Sequence, residues 1–444
     1  MSEYLSNPST SEESILDPDV AIVGGGMVGL SLALLIVQQL PELRVALYEA
    51  EPFAVENEVL LQPSFDERST ALSASSIELF AQLGLWQQMR ARAHPIDSVH
   101  VSDRGHIGQT AYSKQDNEGS SLGYVIENKW LGRCLLASAR SQRNIHLVDS
   151  ARVVELRKRA QSVEYKVQSN KKLDVAPVEH RASMVVIADG ASSPLREALG
   201  IAVEKHRYGQ AAVIANVEFD RPHQGQAFER FTRAGPLAFL PLPSVYTNSA
   251  SCRSALVWTQ PEAELANVLG LPDQAFIEKL QEQFGYRLGN IQRVGERQSY
   301  PLQMIFAKEQ VRSGIVLMGN AAHFLHPVAG QGFNLALRDC AQLVACLRSA
   351  QLAGVSAEQL GSLEVLTRYL ALQTSDQDAT AILSHNFIRL FGSANPVLQL
   401  GRNMGLIAMT LFSPLQTAFF SQMMGRGNAR ANLTRTAVSD EVAV

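Results

Sequence analysis

Three glycines, Gly24, Gly26 and Gly29, stand at G-x-G-x-x-G spacing between an apolar run, VAIV, and a stretch of helical composition, LSLALLIVQQL. That pattern suits the pyrophosphate of a dinucleotide. The first glycine permits a tight turn, the second lets the backbone approach the phosphates, and the third lets the helix pack closely on its strand. The phosphates would then meet unpaired N–H groups at the positive end of the helix dipole. A second strand, RVALYEA, carries Glu49 to the distance beyond the glycines at which a carboxylate can accept both hydroxyl protons of an adenosine ribose.

A second glycine-rich segment, GNAAHFLHPVAGQGFNLALRD, runs from Gly319 to Asp339. Here Gly330, Gln331 and Gly332 can offer backbone N–H groups to an anionic or carbonyl-bearing ligand, and Asn320 can hydrogen-bond a hydroxyl. Between the two segments, MVVIADGASSPLREALG reads as a buried strand that stops at Asp189-Gly190 and opens a helix; the carboxylate there can cap the helix or bind a ribityl or ribose hydroxyl. Arg68 leads into a helix that begins near Ala74, where it can neutralise phosphate or form a surface ion pair. Asn128 and Arg133 stand where a strand, LGYVIEN, becomes a helix. Together the glycine segments point to FAD. His323 and His326 are the candidates for proton handling, although a histidine in such a turn is more often a structural hydrogen-bonder, and Pro327 strengthens that reading for His326.

The elements needed to hold these residues imply an α/β protein, a Rossmann-like FAD-binding domain with an inserted mixed β-sheet domain and a C-terminal helical region. Residues 1–18 read as a disordered tail, polar and acidic, without the basic and apolar regions of a signal peptide. The FAD-binding domain is expected from residues 19–90, 118–200 and 301–345. Between Tyr208 and Tyr300 the texture turns β-rich, in runs such as AAVIANVEF and PLAFLPLP, so residues 91–117 and 201–300 are expected to form the substrate-binding sheet. Residues 346–430 read as helical, broken at Asn395-Pro396 and Ser413-Pro414, and 431–444 as a flexible tail. A mostly apolar sheet facing a flavin would suit an aromatic, lipid-like substrate.

A formal net charge of −4 over 444 residues gives no electrostatic case for nucleic acid. The four cysteines form no C-x-x-C pattern, so neither a metal site nor a redox dithiol is expected, and they read as reduced thiols of a cytoplasmic protein. No window is long and apolar enough for a spanning helix. The uncharged stretch from Met404 to Gly425 reads either as two short helices packed on the body or as an apolar surface for a membrane or lipid-handling partner.

GGGMVG, ADGASSPLR and GNAAHFLHPVAGQGFN, in this order, resemble the single-component FAD-dependent aromatic hydroxylases of the para-hydroxybenzoate hydroxylase type, over nearly the whole chain from Asp19. The resemblance implies a glutathione-reductase-like ββα cofactor fold. It also implies FAD contacts at Gly24, Gly26, Gly29, Glu49, Arg68, Asn128, Arg133, Asp189, Asn320, Gly330, Gln331 and Gly332. That family usually has aspartate where this chain has Asn320, which brings no negative charge to the ribityl chain. The same departure, with VHVSDRGH, AVIANV, AFERFT and FGYRLG, makes the chain similar to the 2-polyprenyl-6-methoxyphenol hydroxylases of ubiquinone biosynthesis.

The resemblance further implies NAD(P)H as co-substrate, addition of O₂ at flavin C4a, and transfer of one oxygen atom to a polyprenylated phenol. A second G-x-G-x-x-G after a strand is absent, which fits transient NAD(P)H binding over the flavin. Two alternatives stand beside this reading. One is a hydroxylase acting at another position of the same ring, and the other a flavin-bearing assembly subunit of a biosynthetic complex peripheral to the inner membrane. A flavin halogenase would need a GWxWxIP segment that the chain lacks.

Overall fold

Four short apolar runs, VAIV, VALY, MVVI and IVL, are buried along their whole length, as expected of parallel strands covered on both faces. They belong to a six-stranded sheet ordered Ile145–Val148, Val45–Tyr48, Val20–Val23, Met184–Ile187, Ile315–Leu317 and Val311–Arg312; the last strand alone is antiparallel to its neighbour. The computed structural model describes residues 17–56, 59–61, 68–171, 174–244, 252–325, 330–392 and 396–424.

Strand alternation sets the two layers on this sheet. Val20 and Ile22 point to the helical side, where the helix Met27–Gln39 is buried from Gly29 to Val37 between the sheet and the helices Asn128–Ser141 and Gln331–Leu352. Ala21 and Val23 point to the opposite side, against a three-stranded antiparallel sheet of Ala151–Lys158, Val163–Ser169 and Val178–Ala182. Tyr48 and Tyr165 join the layers through their hydroxyls, 3.0 Å apart. A helix on one face and a small antiparallel sheet on the other is the expected ββα cofactor arrangement.

A nine-stranded mixed sheet is built on the long strand Val203–Phe219, which pairs with Arg253–Pro261, Gln298–Ala307 and Ile291–Val294. Beyond Arg253–Pro261 the sheet continues through Gly235–Pro241, Gln226–Thr232, Ser98–Asp103 and Gln109–Ser113. Two helices, Glu262–Leu269 and Asp273–Phe284, close one face over Phe228, Phe239, Trp258, Phe276 and Phe284. The other face, with Val101, Ala227 and Ala255, packs with Phe420 and Met424. At one edge the two-residue strand His323–Phe324 pairs with Gln298–Ala307, so the second glycine-rich segment is fastened to this sheet.

Three helices end the described chain: Leu363–Gly392, Pro396–Leu411 and Ser413–Met423. From Met404 to Met423 the stretch is thus two helices parted at Phe412, just before Ser413-Pro414, since proline supplies no N–H to continue the ladder. They cover the exposed edge strand Gln109–Ser113: Thr410 Oγ1 donates to Gln109 O at 2.7 Å, Gln416 Nε2 donates to Ala111 O at 2.8 Å, and Phe420 stacks on Tyr112 at 4.5 Å. Among the described residues no helix is long and apolar enough to cross a membrane.

Candidate functional site

The register of the parallel sheet makes the site. Val23 lies opposite both Tyr48 and Ile187, and Ile187 opposite Leu317, so four strands end level with one another. Gly24, Glu49, Asp189 and Asn320 therefore emerge side by side at the carboxyl edge, where open α/β sheets bind their ligands. They line a cavity of about 890 Å³ that extends to the apolar face of the nine-stranded sheet.

The glycines have separable roles. Gly24 has φ +108°, and a Cβ there would lie 2.3 Å from Ala188 O, so the turn excludes any side chain. A Cβ on Gly29 would lie 2.0 Å from Gly24 O; this glycine is absent from the cavity wall and serves the close approach of helix to turn. Around a Cβ on Gly26 no atom lies within 4 Å, which leaves space on the cavity side. Glu49 is held at this turn because Oε2 accepts the Gly25 N–H at 2.8 Å and Oε1 that of Glu51 at 3.1 Å.

Two helix N-termini open into the cavity. Met27–Gln39 begins after Gly26 and Gln331–Leu352 after Gly330; neither has a side-chain cap or an acidic residue in its first turn. First-turn N–H groups at the positive end of a helix favour an anionic or carbonyl ligand. Gly330 takes a left-handed conformation, φ +62° and ψ +25°, to start the second helix. Asn334 holds that helix start. Its Nδ2 donates to Gly330 O and Ala71 O, both at 2.8 Å, and its Oδ1 accepts from Ser73 N at 2.9 Å and Ser76 Oγ at 2.7 Å.

Asp189 stands at the strand end with a buried Oδ1 that has no hydrogen-bond partner. Burial raises its carboxyl above the ordinary aspartate range, against a hydrogen bond from Ser193. Ser193 also caps the helix Pro194–Ala198 by accepting from Arg196 N at 3.2 Å. The Arg196 guanidinium braces the loop, donating to Ala321 O at 2.8 Å and Ala191 O at 2.9 Å. An orphaned carboxylate oxygen, an open glycine and two uncapped helix starts around one cavity fit a dinucleotide cofactor with hydroxyl groups and a pyrophosphate.

Of the residues expected from the sequence, Gly24, Gly26, Glu49, Arg68, Asn128, Asp189, Asn320, Gly330, Gln331 and Gly332 meet on the cavity wall. The Arg68 guanidinium lies over the Tyr300 ring, 4.5 Å from its centroid. Asn128 Oδ1 accepts from Thr70 Oγ1 at 2.6 Å. Arg133 is elsewhere, over the Trp130 ring at 5.3 Å, because its position on the helix turns it toward that neighbour. His323 is fully buried, absent from the cavity wall, and paired through Nε2 with the buried Asp339 carboxylate, whose other oxygen accepts from Gln377 Nε2 at 3.1 Å. His326 lies outside the described residues.

Sequence reasoning missed Asn334, Arg152, Tyr300 and Glu229, of which all four line the cavity. For Glu229 a signal existed. It occupies the inward position of an alternating strand, between Ala227 and Phe231, where an apolar residue is the rule.

This site and fold define a flavin-binding oxidoreductase with a large, partly apolar cavity. The FAD binding domain model matches residues 17–360, and the chain belongs to that family, within the FAD-dependent aromatic monooxygenases. It is 33% identical over 407 residues to ubiquinone hydroxylase UbiL of Rhodospirillum rubrum, covering 92% of this chain and 89% of that one. It is 30% identical to 3-demethoxyubiquinol 3-hydroxylase of Escherichia coli, over 88% and 94% of the two chains. In fold it matches p-nitrophenol 4-monooxygenase PnpA of Pseudomonas putida with a TM-score of 0.74 at 17% identity, over 94% of this chain and 99% of that one.

Proposed function

We propose that this chain hydroxylates a polyprenylated methoxyphenol ring in ubiquinone biosynthesis, using NAD(P)H and O₂. The observation that carries the reading is the continuity of the cavity. It runs from the dinucleotide edge at Gly24, Asp189 and Asn320 to an apolar wall of Val99, Leu240 and Phe420. A planar ring can enter beside the cofactor while an isoprenoid tail stays on aliphatic and aromatic surface. The hydroxylase names of the Rhodospirillum rubrum and Escherichia coli relatives support the same chemistry.

FAD, when bound, would accept hydride equivalents from NAD(P)H and activate O₂ for transfer to an electron-rich ring. Gly24, Gly26 and the Met27 helix start would hold the pyrophosphate, Glu49 the adenosine ribose, Asp189 and Asn320 the ribityl hydroxyls, and Gly330, Gln331 and Gly332 the isoalloxazine edge. The protein's own part is to orient the ring and exclude water: Pro236, Ala238, Val257 and Leu302 offer no hydrogen bond to solvent in the cavity.

The terminal helices line the cavity with Phe419 and Phe420 and also expose Met404, Leu411 and Phe412, the last two by 71% and 63%. That pairing supports peripheral contact with a lipid surface, from which a prenylated substrate is drawn. Leu411→Glu with Phe412→Glu is expected to abolish co-sedimentation with liposomes; unchanged co-sedimentation would contradict the contact. Ring position is tested by deleting the gene in its host and identifying the precursor that accumulates. Accumulation of the prenylated methoxyphenol itself, lacking only the hydroxyl that this step adds, agrees with the proposal, whereas a precursor lacking a different hydroxyl reassigns the position.

A further inference from the structure

One carboxyl group lies in the otherwise apolar half of the cavity wall. Glu229 is at the middle of the strand Gln226–Thr232, opposite Ala238 on one neighbour and Val101 on the other. Ala227 and Phe231 share its sheet face, and Ala238, Leu240, Ala255 and Val257 continue the wall on the adjoining strands. Among the described residues Glu229 has no ion-pair partner. The side chain keeps some accessible surface because it opens into the cavity, yet it is far from bulk water, and burial alone pushes its carboxyl up to about 7.

A wall that served only an isoprenoid tail would place an aliphatic residue here. Enclosing a carboxylate without a cation is costly, and the cost is recovered only when a ligand brings a donor. The other ionisable groups on the cavity wall are Tyr48, Glu49, Arg68, Arg152, Asp189 and Tyr300, all on the cofactor side or on the strand beside it. On the sheet face of Glu229 itself, the nearest is Asp103, two positions along the adjoining strand, whose carboxylate accepts from Asn403 Nδ2 at 3.3 Å. Gly235–Pro241 carries no ionisable side chain, Arg253 at the far end of Arg253–Pro261 is paired with Glu127 at 3.1 Å, and the helix Ser413–Met423 carries none.

We propose that Glu229 accepts the phenolic O–H of the substrate and takes its proton during hydroxylation, an inference that rests on reading this cavity as a phenol site. In the step, the phenol O–H bond breaks, its electron pair stays on the ring oxygen, and the proton goes to a Glu229 carboxylate oxygen, from which it leaves to solvent before the next turnover. As ring electrons move toward the incoming oxygen atom the hydroxyl becomes strongly acidic, so a carboxylate is a sufficient base. Only the ionised form can act.

The holoenzyme provides the test, with a short-chain 2-prenylphenol and its O-methyl ether as probes. For wild type, kcat/KM for hydroxylation should rise with pH through about 7 and level off above it. Glu229→Gln, close in shape, should lower kcat/KM by about a hundredfold and remove that inflection, while Glu229→Asp keeps a titrating limb. Wild type should bind the phenol about tenfold more tightly than the ether, a preference that Glu229→Leu abolishes. A wild type that binds but never hydroxylates either probe would sink the hydroxylase reading and the proton transfer with it, while the binding ratio still decides hydroxyl recognition. An unchanged pH profile in Glu229→Gln, together with an intact phenol preference in Glu229→Leu, overturns the role of Glu229.

Discussion

Asn334 accepts the backbone N–H of Ser73 at 2.9 Å and thereby ties two segments 261 residues apart in sequence. The same side chain fixes Gly330, so the start of one cofactor-facing helix and the strand Ser69–Ser73 beside it are one unit. Asn334→Leu leaves several buried groups unpaired and is expected to cost about 2–4 kcal/mol in urea unfolding of the apoprotein. FAD affinity should fall with it, as read by fluorescence titration.

Gly24 and Gly26 separate fold from ligand. Gly24→Ala meets Ala188 O and a backbone conformation that side chains avoid, so it should impair folding itself. Gly26→Ala meets no protein atom within 4 Å. Its apoprotein should melt within about 2 °C of wild type while its FAD dissociation constant rises by about tenfold or more. Equal losses of stability in both variants would remove the cradle role of Gly26.

Asp189 predicts a pH dependence of the opposite sign to an ordinary ion-paired aspartate. Its carboxyl is raised in the folded state, so the native apoprotein holds this proton to higher pH than the unfolded chain does, and stability is lost as pH rises through the carboxylate range. Asp189→Asn apoprotein should therefore be more stable than wild type at pH 7 and equal to it in acid, by urea unfolding across pH. If the orphaned oxygen serves the cofactor as proposed, the same variant should bind FAD more weakly.

His323 and Asp339 are buried together, and breaking one partner of such a pair is costly. His323→Ala should destabilise the protein by about 3–5 kcal/mol, while in the folded fraction kcat for hydroxylation changes by less than about threefold. A large loss of kcat at full stability would instead give this histidine a part in the reaction.

The motifs legible in the sequence are those whose chemistry is local. G-x-G-x-x-G, the acidic strand end at Glu49, Asp189-Gly190 and the Gly330–Gly332 helix start each announce a turn that the backbone must make, and the sheet register then brings them together. What the sequence does not display is pairing between distant segments. Alternation puts Glu229 on the same face as Ala227 and Phe231, but the parallel pairing of Ser98–Asp103 with Gln226–Thr232, which builds the cavity wall around it, has no local pattern. Arg133 illustrates the reverse: its place at a strand-to-helix junction is local, but the direction of its side chain is set by Trp130. The fate of His323 depended on Asp339, sixteen residues on, and on Gln377 from another helix.

Isotope labelling tests the central claim most directly. Purified holoenzyme given a 2-prenylphenol, NAD(P)H and ¹⁸O₂ should consume NAD(P)H faster when the phenol is present and yield a product carrying one ¹⁸O atom. Bound FAD whose NAD(P)H oxidation ignores the phenol, or a product whose new oxygen comes from water, would contradict it.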